Sequence, residues 1–129
     1  MARPRAKELT QRELEIMHVF WETGEATVAQ IRDRLEELGR GLAHTTVATL
    51  IRILTEKAFL EQTNGERPFV YRSIRSFEDV STNMVGDLVS RLFGGSREKL
   101  LVQLLDQQSL TARERSLLEE ILRDEENAR

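Results

Sequence analysis

HTTVATLIRILTEKAFLEQTNGERPFVYRS, residues 44–73, changes its hydrophobic period halfway along. Up to Lys57 the apolar residues recur at spacings of three and four: Val47, Leu50, Ile51, Leu54 and Ala58 share one face of a helix running from about His44 to Lys57. Thr45, Thr49, Arg52 and Glu56 share the opposite, polar face. From Phe59 the pattern is that of two short strands, 59–63 and 69–73. Asn64-Gly65-Glu66-Arg67-Pro68 lies between them and carries the Asn-Gly signal of a hairpin loop. Pro68 has no amide donor, which suits the start of an edge strand. A lone hairpin is barely stable in water, so this one needs helices to pack on.

Those helices lie just upstream. Thr10-Gln11-Arg12-Glu13 is a capping box, in which the Thr10 hydroxyl accepts from the Glu13 amide and the Glu13 carboxylate reaches back. It opens a helix that ends at Gly24, with Leu9, Leu14, Ile16, Met17, Phe20 and Trp21 on a broad apolar face and Glu15, His18 and Glu22 opposite. Thr27-Val28-Ala29-Gln30 is a second capping box, followed by Val28, Ile31, Leu35 and Leu38 at helical spacing and closed by Gly39 and Gly41. The short glycine-containing link makes the second and third helices a helix-turn-helix. Three helices and then a hairpin is the order of a winged helix. The fold class expected is mainly α with a small β-hairpin.

After Ser76 the helical period returns. Val80, Met84, Val85, Leu88, Val89, Leu92 and Phe93 form a wide stripe up to Gly94-Gly95. Leu100, Leu101, Val102, Leu104 and Leu105 mark a second segment, and Thr111-Ala112-Arg113-Glu114 caps a third that carries Leu117, Leu118, Ile121 and Leu122. About fifty residues close little core alone, so this region reads as a three-helix dimerisation segment that buries its stripes on a second copy. The expected division is 1–75, a DNA-binding winged helix, and 76–129, a helical dimerisation domain.

Composition excludes several classes. There is no cysteine, which removes disulfides, thiolate metal sites and cysteine nucleophiles. With 40% hydrophobic and 32% charged residues and no long apolar run, no membrane span is expected. The basic start, Met1 to Lys7, is followed by no apolar stretch and fits neither a signal peptide nor a lipid anchor, so a cytoplasmic location is expected. His18 and His44 are separated by spacing and by face, so neither a metal site nor a cofactor is expected. The acidic run of Glu119, Glu120, Asp124, Glu125 and Glu126 has no nucleophile or glycine-rich loop near it and reads as a solvated face rather than a catalytic pair. No enzyme is expected.

The net charge of −3 conceals an asymmetry: residues 1–76 carry +1 and residues 77–129 carry −4. A phosphate-binding surface therefore has to be local. The start of the third helix can enter a major groove, where Thr45, Thr46 and Thr49 can bond base edges or phosphates and Arg52 can make a bidentate guanine contact. His44, Lys57, the wing-tip Arg67 and the arm residues Arg3, Arg5 and Lys7 are candidate phosphate contacts. The rival reading is a winged helix used only as a protein-interaction module, which salt dependence distinguishes.

Taken in order, these residues resemble the penicillinase-repressor (BlaI/MecI-like) family of winged-helix regulators. The resemblance rests on Leu9-Thr10 through Trp21 with its Glu-Leu-Glu-Ile-Met run, on Thr46-Val47-Ala48-Thr49-Leu50-Ile51 and on Tyr71-Arg72. It continues through Leu88 to Gly95-Ser96, Leu100-Leu101 and the final Leu-Leu-Glu-Glu-Ile-Leu helix. It implies a homodimer on a palindromic operator of double-stranded DNA that represses a nearby promoter. It also implies release when a membrane-bound sensor metalloprotease triggers cleavage within the dimerisation helices. The cleavage region corresponds to Val102 to Leu105, where Gln103-Leu104 stands in place of the family's Asn-Phe pair. The paired C-terminal cysteines of copper-responsive members are absent. Three departures touch the third helix: Ala43 replaces a capping serine, Ala58 replaces a terminal glycine, and Ile53 stands where arginine is common.

Overall fold

The computed structural model describes residues 8–107 and 110–128; the arm residues Arg3, Arg5 and Lys7 lie outside the described residues. Helix α1 (Gln11–Thr23) begins as the capping box requires: the Glu13 amide donates to Thr10 Oγ1 at 3.2 Å and the Thr10 amide donates to Glu13 Oε1 at 2.8 Å. Helix α2 (Val28–Glu37) repeats the device with Thr27 and Gln30. Helix α3 (His44–Glu56) starts at Ala43, where no side chain caps it.

Three strands follow the chain as β1 (Ala26–Thr27), β2 (Leu60–Gln62) and β3 (Val70–Ser73), in the spatial order β1-β3-β2, all antiparallel. The register pairs Ala26 with Tyr71 and Thr27 with Val70 on one side, and Leu60 with Ser73 and Glu61 with Arg72 on the other. The two-stranded hairpin expected from sequence is thus one strand short. Two residues squeezed between helices carry no readable period, which is why β1 is silent in sequence. Its presence makes β3 the central strand, so Pro68 does not open an edge strand; it lies two residues before β3 and leaves the ladder intact.

The apolar faces of α1 to α3 meet in one core: Ile16, Met17, Val19 and Phe20 of α1, Ile31 and Leu35 of α2, and Val47, Ile51 and Leu54 of α3, with Phe59 and Leu60 beside the sheet. Each such side chain contributes roughly 1.5–3 kcal/mol by leaving water. Val80 joins them at 4% exposure. This corrects its assignment to the pairing stripe: the first turn of helix α4 (Phe77–Leu92) is spent on the same chain's core. Leu38, counted with the apolar face of α2, is instead the exposed C-cap of that helix.

By internal packing the chain divides into a first unit ending at Thr82 and a second beginning at Asn83, and α4 crosses the division as one helix. The second unit comprises the rest of α4, α5 (Arg97–Gln107) and α6 (Ala112–Asn127), the last opened by the Thr111/Glu114 capping box. Most of its large apolar side chains face solvent: Met84, Leu88, Leu92, Leu101, Leu104, Leu105, Leu117, Leu118, Ile121 and Leu122 are exposed, whereas Phe93 and Leu100 are half-buried and Val89 is buried. No helix among the described residues is long and apolar enough to cross a membrane.

Helices α2 and α3 end in the same motif. After α2, Gly39 donates to Glu36 O and Arg40 to Leu35 O; after α3, Ala58 donates to Thr55 O and Phe59 to Leu54 O. Both closures need a left-handed residue, supplied at φ 74° by Gly39 and at φ 65° by Ala58. For alanine that conformation costs about 1–2 kcal/mol, partly offset by the greater freedom of glycine in the unfolded chain. Ala58→Gly is expected to stabilise the first unit by about 0.5–1 kcal/mol, read from denaturant unfolding. Ala43→Ser, which supplies the missing cap, is expected to add about 1 kcal/mol.

Candidate nucleic-acid interface

Helix α3 has two different faces. Val47, Ile51 and Leu54 are buried, while His44, Thr45, Thr46, Thr49 and Arg52 are exposed. Burial of one face fixes how the other is presented, so five of the ten residues expected to contact DNA lie together on one exposed helix surface. The turn that leads into α3 is held by the closure at Gly39 and by half-buried Leu42, which packs on the core.

The far end of α3 is anchored by charge. Glu13 is the buried charged residue of the core at 2% exposure. Its carboxylate accepts from Lys57 Nζ at 2.8 and 3.1 Å, and the same ammonium donates to the Glu8 carbonyl at 2.9 Å. Burial works to raise the pKa of Glu13, but the Lys57 hydrogen bond, the Thr10 amide and the ammonium charge outweigh it and hold it below the ordinary value. Lys57, expected as a phosphate contact, is thus engaged as the tie between the start of α1 and the end of α3. Its partner is 44 residues away, so no local pattern signals the pairing.

The wing loop is organised by Asn64. Its side-chain oxygen accepts from the Val70 amide at 2.8 Å, and its Nδ2 donates to the carbonyls of Glu66 at 2.9 Å and Pro68 at 3.2 Å. Arg67 is exposed at the tip, its guanidinium 5.4 Å from the centroid of the Phe69 ring. Arg72 bonds Glu61 directly across the β2–β3 ladder at 2.9–3.0 Å.

Pairing of this kind is general in the first unit. Of the nine lysines and arginines between Arg12 and Arg75, eight lie in ion pairs: Arg12 and Arg40 with Glu15, Arg32 with Asp33, Arg34 with Glu22 and Glu37, Arg52 with Glu56, Lys57 with Glu13, Arg72 with Glu61 and Arg75 with Asp79. Among the described residues Arg67 is the ninth and makes no such pair. The Arg40–Glu15 contact, at 2.7 Å, joins the helix-turn-helix turn to α1 and was not evident from sequence. Glu15 is held below its ordinary pKa because hydrogen bonds from Arg40, Gln11 and Arg12 outweigh the effect of burial. His18 meets Trp21 edge-on with ring centroids 5.2 Å apart.

A three-helix core, a small antiparallel sheet with an exposed wing, and a polar helix held outward define a winged-helix DNA-binding regulator. The chain belongs to the penicillinase repressor family, whose family model matches residues 9–124. It is similar to the methicillin resistance regulatory protein MecI of Mammaliicoccus sciuri, at 23% identity over 115 residues covering 89% of this chain and 93% of that protein. Among solved structures, the DNA-binding domain of the repressor BlaI aligns with a TM-score of 0.50 and 22% identity, covering 60% of this chain and 93% of that one. The RosR chain of the hsRosR-S4 complex aligns over 95% of this chain and 94% of its own, with a TM-score of 0.56 and 20% identity. The chain is accordingly a DNA-binding transcriptional repressor by family, a regulatory class and not a catalytic one.

The depressed Glu13 pKa has a consequence for stability. A carboxylate that titrates lower in the folded state than in the unfolded chain stabilises the fold at pH values above its unfolded pKa, and that contribution is lost as pH falls through the folded pKa. Glu13→Gln keeps the capping geometry but leaves Lys57 without its counter-charge. It is expected to lower stability at neutral pH by about 2 kcal/mol, less than for a fully buried pair because Lys57 is a quarter exposed. Its unfolding midpoint should also fall less steeply than the parent's as the solution is acidified below about pH 4.3.

Proposed function

We propose that two copies of this chain pair through the helices after Asn83 and bind a palindromic operator, placing two α3 helices in major grooves on one side of the duplex. The observation that carries this reading is the outward polar face of α3, with Thr45, Thr46, Thr49 and Arg52 exposed over a helix whose other face is locked in the core. Threonines and one arginine suit base edges and phosphates. Arg67 and His44 add phosphate contacts, while Lys57 is held by Glu13. Two such helices are expected about 34 Å apart, or a multiple of it. Repression needs no chemistry: a dimer seated on a promoter excludes polymerase. The protein acts in the cytoplasm.

Pairing is supported by the apolar surface of the second unit. Leu92 is 69% exposed and Leu104 58%, and a stripe of this extent on a monomer marks an interaction surface. A self-complementary interface repeats the same residues on both copies. Val80 is left out of it, since the first unit's core already uses it. Release follows cleavage near Val102 to Leu105 in α5 after a membrane-bound sensor metalloprotease responds to an inducer, because a cut there divides the stripe that holds the dimer together.

Arg52→Ala is expected to weaken operator binding by roughly ten- to a hundred-fold, the range of a lost bidentate base contact, while the thermal midpoint stays near the parent's because the side chain is exposed. Fluorescence anisotropy on an operator duplex, with a parallel melt, checks both. Leu104→Glu should convert the dimer to a monomer in sedimentation and abolish the two-fold footprint; a dimer that persists would place the pairing surface elsewhere. A single chain left intact after co-expression with the cognate sensor and its inducer would remove proteolytic release.

A further inference from the structure

On its polar face α3 offers one arginine, and its own helix already holds it. Arg52 Nη1 donates to Glu56 Oε1 at 2.8 Å one turn along, with both side chains more than 60% exposed. The contact uses a single nitrogen of the guanidinium. Among the described residues Nε and Nη2 make no hydrogen bond, and these two donors form one edge of the fork, spaced to match the two acceptors of a guanine in the major groove. Glu56 therefore does two things on the surface offered to DNA. It restrains the direction of Arg52, and it sets a negative charge where phosphates approach.

We propose that Glu56 is a specificity-determining residue of this repressor, one that keeps Arg52 aligned for a guanine edge and opposes the loose phosphate contacts through which sequence-independent binding occurs. The inference rests on the DNA-binding reading above. Sequence-independent binding is almost wholly electrostatic, so a carboxylate on the contact face subtracts from it directly. Operator binding loses less, because there the same carboxylate helps to orient the base-reading arginine. The wider charge pattern agrees: among the described residues of the first unit, the other paired cations also meet carboxylates of their own chain.

The test compares the parent, Glu56→Gln, Arg52→Met and the double variant as full chains. An operator duplex is first selected by the parent from a random-sequence pool; each protein is then titrated against it and against a random duplex of equal length over a series of salt concentrations. Removing one negative charge should tighten binding to the random duplex about five-fold at physiological salt and steepen its salt slope by about one. Operator affinity should stay within about two-fold. With Arg52 replaced by Met, Glu56→Gln should tighten both duplexes alike, since no guanidinium remains to be aligned. Thermal melts confirm that all four proteins fold, and both side chains lie on the surface. A Glu56→Gln variant as selective as the parent, or one that loses selectivity equally in both backgrounds, overturns the role of Glu56 alone. A parent that enriches no sequence from the pool overturns the DNA-binding reading, and this inference with it.

Discussion

A buried carboxylate that meets an ammonium from 44 residues away sets the frame on which the rest of the first unit depends. Glu13 caps α1 with one interaction and receives Lys57 from the end of α3 with another. Apolar burial supplies most of the driving force for packing these helices, but it is non-directional and tolerates sliding. The ion pair adds a point-to-point requirement, because a desolvated carboxylate without its partner is strongly unfavourable. The position of α3 along α1 is therefore set by charge and its depth by leucine, isoleucine and valine. The polar face of that helix, the proposed DNA contact, inherits both constraints.

A second set of contacts closes the unit where the sheet leads into α4. The Trp21 indole donates to the Arg75 carbonyl at 2.8 Å and meets Phe77 edge-on at 5.4 Å, while the Arg75 guanidinium lies 4.8 Å from the Phe59 ring centroid and pairs with Asp79. Buried or half-buried aromatic side chains with a polar handle suit such a junction, since one end packs and the other bonds the backbone. Val80 follows one turn later and enters the core. The first turn of α4 thus belongs to the winged unit, and the leucines that face solvent begin only after it.

Much of this was legible in the residue pattern. The capping boxes at Thr10, Thr27 and Thr111 are local signals between residues three apart, and each forms as written. The core of α1 to α3 follows from apolar spacing, and the wing from Asn64-Gly65, where the structure adds that Asn64 itself bridges the loop. The polar residues of α3 could be named because a helix with one apolar face must show the other to something else. The residue pattern is silent on what is non-local: the two-residue β1 that makes β3 central, the Lys57 tie to Glu13, the Arg40 tie to Glu15 and the inward turn of Val80. The sequence neighbours of Lys57 and Val80 point both outward, yet in the structure each engages its own chain.

By itself the amino-acid order determined the element sequence, the helix starts, the amphipathic faces and the family pattern, because these arise from interactions between residues a few positions apart. Only the tertiary structure decided which charges are committed inside the molecule and which remain on its surface, since an ion pair between distant residues leaves no periodic trace. That distinction governs the surface proposed to read DNA. It turns Lys57 into an anchor, pairs Arg52 with Glu56 and leaves the threonines of α3 facing outward.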